Sequence, residues 1–379
     1  MAKVAEIIRF YSLDEIMDFI EKGGEYPLHH VWCYDKIKEE GIQVECIEYD
    51  KKSRWNKIGE KLQIFNLQQQ FNLLKKSKQY DLVYVPFVAD VFLLALLKSL
   101  GLYKKPILAL ALDTHIPFKK SYLKRLKQRL LRSIYNHGID SMLFFNETMY
   151  HKSNEFGRLG RNTSYAEWGA DLEFFDSFIE RQTQPPALDF IYSTGGTGRD
   201  FKTLIKAFET IDFNLKITTK RSEEYNMYIP PNVIIDDSVV PGLHSVGIIR
   251  KEYYNSLAVA IPLRNTGQIW PVGITVIAEA LAMSKPIIST YNPMYPFNLE
   301  KEKIGLYVGY NDVKGWKEAA NYLISNPDEA REMGERGRHL CEKKFNYEMF
   351  SDEVINQIKK YIFVEKKEVV KKSNVPVHV

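Results

Sequence analysis

Gly273-Ile-Thr-Val-Ile-Ala-Glu-Ala-Leu-Ala-Met-Ser-Lys-Pro-Ile-Ile-Ser-Thr290 carries the densest pattern in the chain. A glycine opens it, and Ile274–Met283 reads as a helix. Lys285-Pro286 then leads into Pro286–Thr290, an apolar strand. A helix N-terminus presents N–H groups without intrahelical partners and a partial positive charge. Gly273 lets that backbone approach a ligand closely. The amides of Ile274, Thr275 and Val276 can therefore face a diphosphate. Glu279, two turns in, can accept paired hydrogen bonds from ribose hydroxyls. Taken alone, an ordinary βα unit with a solvent-facing glutamate explains the segment equally well.

The same alternation extends in both directions. Upstream lie strands at Phe190–Ser193, Leu215–Thr218, Val233–Ile235 and Val259–Pro262, with a helix at Phe201–Glu209. Earlier still are strands at Val4–Phe10, Ile42–Glu48, Asp81–Pro86, Pro106–Leu112 and Ser141–Phe145, and a helical pattern at Leu28–Glu40. Strands separated by helices predict βαβ units and parallel sheets. Val313–Ser325, Pro327–Lys344 and Tyr347–Glu365 read as helices. The expected fold is α/β with two Rossmann-like domains. They span residues 1–178 and 179–345, with a junction near Asp176–Pro186. A C-terminal helix covers 346–365, and 366–379 is expected to be a disordered tail.

The 379 residues are too many for one typical core. A hydrophobic share of 45% and a charged share of 26% are globular values, which excludes fibrous and disordered classes. The net charge of +4 is too small to indicate nucleic acid by itself. Cys33, Cys46 and Cys341 lack paired spacing, which argues against a disulfide framework or a zinc site. The start MAKVAEIIRF lacks the apolar core of a signal peptide. The most apolar run, Val91–Leu97, is too short to span a membrane and reads as a buried helix. A cytoplasmic location follows as an expectation.

With these residues in place, the chain resembles the retaining glycosyltransferases of the GT-B fold, in particular glycosyltransferase family four. That family's donor-site helix carries two glutamates, and Glu279 matches the second. Pro271 stands where the first belongs, which leaves the sugar contact without its family residue; Gln268 and Trp270 are neighbouring substitutes. Trp168-Gly-Ala-Asp-Leu-Glu-Phe-Phe175 is similar to the family's junction signature. Ile191–Phe208 looks like its first strand, phosphate loop and helix, with Gly195, Gly196, Arg199 and Lys202. Lys22-Gly-Gly-Glu25 and His30-Val31 resemble the N-terminal glycine loop, and Ser325–Tyr347 the helical ending.

The resemblance implies two facing Rossmann-like domains with a deep cleft, and a C-terminal helix returning to the N-terminal domain. It implies transfer of a sugar from a UDP- or GDP-linked donor to a saccharide or lipid-linked acceptor, with retention. Arg199 would neutralise the departing diphosphate, with Lys202 as the weaker partner. His115, at the end of the strand ILALAL, would enter the cleft near the reacting carbon, positioned by Asp113. Gly23, Gly24 and His30 would lie on the acceptor side, although a plain turn explains the glycine pair as well. Arg264 is a further candidate facing the cleft. No cofactor is expected beyond the nucleotide sugar. No metal is expected either, because a helix dipole and Arg199 can supply the positive charge. A sugar-nucleotide epimerase of the same fold and a non-catalytic binder are the rivals.

Lys119, Lys120, Lys124, Arg125, Lys127, Arg129 and Arg132 follow one another without an acid, and Leu123, Leu126, Leu130, Leu131 and Ile134 recur at helical spacing. This basic amphipathic helix fits three readings. It docks on an anionic membrane face, as suits a peripheral enzyme of cell-envelope polysaccharide assembly. Or its leucines pack on the sheet and its cations are simply solvated. Nucleic-acid contact is the least favoured of the three.

Overall fold

The computed structural model describes residues 1–8, 13–112, 122–155, 159–160, 162–220, 227–239, 243, 245–265 and 270–373. In chain order the first elements are β1 (Lys3–Glu6), α1 (Leu13–Glu21), α2 (Tyr34–Glu39), β2 (Gln43–Cys46), α3 (Arg54–Leu62), α4 (Leu67–Lys76) and β3 (Leu82–Val85). Next come α5 (Phe92–Ser99), β4 (Ile107–Ala111), α6 (Tyr122–Gly138), β5 (Ser141–Phe144), α7 (Glu147–Glu155), β6 (Thr163–Tyr165) and α8 (Leu172–Glu180). The pattern continues with β7 (Phe190–Thr194), α9 (Phe201–Phe208), β8 (Asn214–Thr218), β9 (Val233–Asp236), α10 (Ser245–Asn255), β10 (Ala258–Ile261) and α11 (Ile274–Ala282). It ends with β11 (Ile287–Thr290), β12 (Gly305–Val308), α12 (Val313–Ser325), α13 (Pro327–Lys344) and α14 (Tyr347–Ser373).

Two compact units result. The first holds Met1–Asp18, His30–Ala166 and the chain from Met349 onward; the second holds Phe19–His29 and Glu167–Glu348. Each contains one six-stranded sheet, ordered β2-β1-β3-β4-β5-β6 in the first and β12-β11-β10-β7-β8-β9 in the second. Every neighbouring pair runs parallel.

The sequence pattern explains the sheet positions. The central strands β3, β4, β5, β10 and β11 are buried along their whole length, so they read as unbroken apolar runs. The edge strands β2 and β6 have no fully buried residue, and β12 only two, at its ends. Sequence reading passed over β6 and β12 because a half-exposed edge lacks an apolar run. Helix starts follow capping chemistry. Asp200 receives Thr203 N–H at 3.3 Å and Asp312 receives Gly315 N–H at 2.8 Å. The expected helix at Leu28–Glu40 is a short 3-10 turn, Leu28–His30, followed by α2. The expected tail is helical through Ser373. All three cysteines are free thiols. Among the described residues no helix is long and apolar enough to cross a membrane.

The last residue of β1 departs from the usual rule that buried charge is paired. Glu6 is fully buried, and neither carboxylate oxygen has a hydrogen-bond partner among the described residues. Burial, then Asp35 and Asp14, push its pKa well above the ordinary carboxyl value of 4.5. The folded chain thus keeps a proton that the unfolded chain releases. The stability linked to that proton is full at low pH and is lost as pH rises through the elevated folded value. Glu6→Gln should remove this dependence and raise the melting temperature at pH 8, by about 2–4 °C for each kcal/mol recovered. A Glu6→Gln chain that melts below the parent at pH 8 sinks this account.

Candidate functional site

In the second sheet the chain order reverses between β7 and β10. Strands that diverge in connection at such a point leave a crevice beyond their C-terminal ends, the usual ligand position of open α/β sheets. The loops there are stitched together. Arg199 pairs with Leu263 in an isolated antiparallel bridge. Arg264 N–H donates to Gly198 O at 2.9 Å, and Asp200 N–H to Pro262 O at 3.0 Å. Leu263 N–H reaches Thr290 Oγ1 at 3.1 Å, and the Thr219 hydroxyl reaches Gly195 O at 3.1 Å.

The Arg199 side chain folds back into this knot. Its Nε donates to Thr194 O at 3.0 Å and its Nη1 to Thr197 O at 3.1 Å. The guanidinium lies flat against Gly195, where a Cβ would sit 2.6 Å from Nη2. A Cβ on Gly273 would lie 2.9 Å from both Ile261 Cγ2 and the Tyr295 hydroxyl, and 3.8 Å from Arg199 Nη1. With φ of +101° at Gly195 and +94° at Gly273, both positions require glycine on conformational as well as steric grounds. Arg199 is buried, and no carboxylate lies within ion-pair distance among the described residues. Burial lowers its pKa, while Tyr295 and Tyr253 act the other way. An arginine still stays charged at neutral pH.

Gly273 sits at the N-cap of α11. Ile274 N–H is committed to Pro271 O at 3.0 Å. The amides of Thr275 and Val276 follow in the first turn with no backbone acceptor among the described residues. The site therefore joins a buried cation, two side-chain-free approaches and a helix N-terminus. That combination suits a phosphate.

Two turns into α11, Glu279 is buried. Its Oε2 accepts the Tyr253 hydroxyl at 2.9 Å. Its Oε1 lies 3.5 Å from His29 Nε2. His29 is fully buried, edge-on to Trp168 and stacked near Phe175. Its Nδ1 accepts the backbone N–H of Asp171 at 3.0 Å, so the neutral ring carries its proton on Nε2, toward Glu279. With its proton on Nε2, His29 turns a positive edge toward the carboxylate at 3.5 Å, without a formed hydrogen bond, and is no metal ligand through that atom. Desolvation, and next the Glu279 charge, hold the Tyr253 pKa well above its ordinary value, so the phenol remains a donor.

His29 is held by the segment Phe19–His29. Leu28 N–H donates to Asp171 Oδ2 at 2.7 Å, and Asp171 Oδ1 caps α8 through Phe174 N–H at 3.1 Å. Glu25 pairs with Arg250 and Arg181. Arg250 is buried, with its guanidinium 4.0 Å above the Phe174 ring and Nη1 donating to Phe174 O at 2.6 Å.

The expected site residues divide accordingly. Arg199, Gly195, Gly273, Thr275 and Val276 converge at the switch point, with Glu279 deeper in the same helix. Gly196 is exposed in the loop, and Lys202 is exposed near the start of α9. Arg264 is exposed, with its Nε donating to Arg199 O at 2.7 Å. Gly23 and Gly24 donate to Ile20 O and Phe19 O, both at 2.9 Å, which is the geometry of a helix C-terminus. His30 is half-buried in the first unit. Asp113, His115, Lys119, Lys120 and Gln268 lie outside the described residues, as does the side chain of Lys124. Sequence reading missed His29 and Tyr253. The only available signal for His29 was its place beside His30; nothing local marks Tyr253.

No family model matches the sequence, and no curated protein matches it. Among solved structures it is similar to sucrose-phosphate synthase from Thermosynechococcus elongatus, at 14% identity and TM-score 0.68, over 96% of this chain and 100% of that one. It is also similar to Anabaena HepE in complex with UDP and glucose, at 12% identity and TM-score 0.59, over 95% and 100%. A putative UDP-N-acetylglucosamine 2-epimerase from Listeria monocytogenes matches at 12% identity and TM-score 0.57, over 95% and 96%. These likenesses are of fold. The chain has the two-sheet α/β architecture of GT-B proteins.

Burial lowers the His29 pKa from 6.5 to about 4, with the Asp171 carboxylate acting in the opposite direction. A depressed folded value means that the stabilisation is complete above the unfolded pKa and is lost as pH falls through the folded one. The window therefore runs from about 6.5 down to about 4, and is worth on the order of 3 kcal/mol. The parent chain should lose more melting temperature across that window than His29→Gln. Equal losses would mean that His29 does not stay neutral in the fold.

Proposed function

We propose that the chain transfers a sugar from a UDP- or GDP-linked donor to a saccharide or lipid-linked acceptor, with retention at the anomeric carbon. One observation carries this reading. Arg199 is a buried cation with no carboxylate partner among the described residues, wedged between Gly195 and Gly273 at the start of α11. An uncompensated buried charge is costly, and a diphosphate would compensate it. The GT-B architecture supports the reading, and HepE is a protein of similar fold crystallised with UDP and glucose.

In this scheme the bond between the anomeric carbon and the diphosphate oxygen breaks as the acceptor hydroxyl oxygen bonds to that carbon on the same face; the hydroxyl proton passes to the departing diphosphate, on which negative charge gathers. Arg199 and the α11 amides of Thr275 and Val276 receive that charge where it develops. They supply the positive field that a metal ion provides elsewhere. Lys202, near the start of α9, is a second cation for the same group. Glu279 accepts the ribose hydroxyls, with its carboxylate oriented by Tyr253 and His29. His115 and Asp113 keep the roles that the family resemblance implies, near the reacting carbon. Retention rests on that resemblance, as does the family-four assignment. No pair of carboxylates suited to double displacement stands out in the sequence. An acceptor attached to a lipid suits a peripheral position at the inner membrane face.

Thermal melts against UDP, GDP, ADP and their sugars test the reading. A matching nucleotide at a hundredfold excess over its Kd adds about 2.7 kcal/mol, or roughly 5–10 °C. Arg199→Met should abolish that shift while leaving the ligand-free melting temperature unchanged or higher. A variant that keeps the full shift would remove Arg199 from the donor site. Glu279→Gln should weaken the nucleoside response and leave inorganic pyrophosphate binding intact. A radiolabelled donor sugar then separates the classes: label on an acceptor means transferase, free isomerised sugar means epimerase, and unchanged donor means binder.

A further inference from the structure

Helix α3 is built inside out. Its only buried residues are Asn56 and Gly59. Asn56 is tied inward, donating from Nδ2 to Asp50 O at 2.8 Å and accepting Gln68 N–H on Oδ1 at 3.0 Å. Gly59 lies so close to the Ile64 carbonyl that a Cβ would meet it at 2.3 Å. The apolar residues Trp55, Ile58 and Leu62, at 52%, 43% and 61% exposure, form a stripe that adjoins this buried face, with the Trp55 ring edge-on to Phe71 at 4.9 Å.

Helix α6 also exposes apolar side chains, along the N-terminal part of a row that becomes buried at Ile134 and Gly138. Tyr122, Leu126 and Leu130, spaced four residues apart, are 76%, 53% and 62% exposed. Among the described residues of α6, Ile134 and Gly138 are the buried ones. The solvated-helix reading required these leucines to pack on the sheet, and Leu126 and Leu130 do not. The two helices are neighbours, since Lys127 Nζ donates to Gln63 Oε1, at the C-cap of α3, at 2.7 Å. Exposed cations surround both stripes: Arg54, Lys57 and Lys61 on α3, and Arg125, Lys127 and Arg129 on α6. Glu60 is the single acid in the two helices.

We propose that α3 and α6 together form a docking face for an anionic lipid bilayer. This goes beyond the transferase reading and does not depend on it. Exposed apolar patches of this kind mark interaction surfaces. Helices lying in a membrane interface combine an apolar stripe with flanking Lys and Arg, and Trp and Tyr favour the headgroup level. The charge selects the occupant. A second copy of this face would bring cations against cations. A nucleic-acid backbone would engage the cations and leave six apolar side chains wet. A bilayer containing acidic lipids satisfies both features at once.

The test is flotation of the full chain with vesicles of phosphatidylcholine containing phosphatidylglycerol, and with phosphatidylcholine alone. The parent should float with the mixed vesicles only. Arg125→Gln/Lys127→Gln/Arg129→Gln should weaken partitioning about a hundredfold, and Trp55→Ser/Ile58→Ser/Leu62→Ser by about tenfold or more. The α6 cations are exposed, so that variant should melt with the parent; because Trp55 packs edge-on against Phe71, Ile58→Ser/Leu62→Ser with Trp55 kept is the α3 variant that should melt with the parent and still float less. In addition, mixed vesicles should shift the parent's tryptophan emission to the blue, and Trp55→Phe should diminish that shift. A parent that stays in the aqueous fraction overturns the proposal. So does unchanged flotation of the α3 variant. A parent that is dimeric by light scattering, made monomeric by the α3 substitutions and indifferent to vesicles, would assign the face to a second copy instead.

Discussion

A guanidinium buried, among the described residues, without a carboxylate is the constraint around which the second unit is arranged. Desolvating such a cation costs several kcal/mol. The two carbonyls that Arg199 reaches, Thr194 O and Thr197 O, return part of that, at about 1.5–3 kcal/mol for each bond to a charged group. The remaining field is directed at the switch point. Side chains at Gly195 or Gly273 would displace the guanidinium or the Tyr295 hydroxyl. The bridge from Arg199 to Leu263 fixes the loop that holds it. The ligand-free fold is therefore stable enough to keep the charge in place and leaves a net penalty that an anion can remove.

The segment Phe19–His29 performs a comparable task for Glu279. A buried carboxylate free to rotate would offer no fixed pair of acceptors. Here Tyr253 defines one oxygen and His29 approaches the other. The His29 tautomer is set in turn by an amide of the α8 capping turn. Phe19–His29 comes from the N-terminal part of the sequence but belongs to the second unit. The orientation of the proposed ribose acceptor thus depends on residues some 250 positions away, joined through Asp171, Glu25 and Arg250.

This is why the fold was largely legible in the sequence and the site only in part. Parallel strands buried on both faces produce apolar runs such as Ile107–Ala111 and Ala258–Ile261, which are visible to local reading. The edges β6 and β12 are half-exposed and left no such trace. Gly273, Glu279 and Arg199 lie in or beside strand-to-helix turns, where spacing carries chemical meaning. His29 and Tyr253 acquire meaning only from tertiary contact. Helix α3 is the sharpest case. The spacing of Trp55, Ile58 and Leu62 is that of a core-facing helix, and periodicity cannot say which side of a helix meets the protein. Asn56 and Gly59 decide that through contacts with Gln68, Asp50 and Ile64, all of them outside the helix.

Pro271 separates two properties that the resembling family combines. Its ring is buried in a tight turn in which Val272 N–H donates to Trp270 O at 2.9 Å and Ile274 N–H to Pro271 O. Tyr295 and Asn292 hold the same backbone, donating to Val272 O at 2.8 Å and Trp270 O at 3.1 Å. The turn thus delivers Gly273 to the switch point without the family's first glutamate. A proline at this position offers sugar hydroxyls no side-chain acceptor and leaves the proposed phosphate cradle structurally whole. In the proposed donor site, affinity for the nucleotide diphosphate and choice of sugar therefore rest on different residues. The first is built from Gly195, Arg199 and α11. The second must come from groups other than position 271, because a pyrrolidine ring can accept nothing.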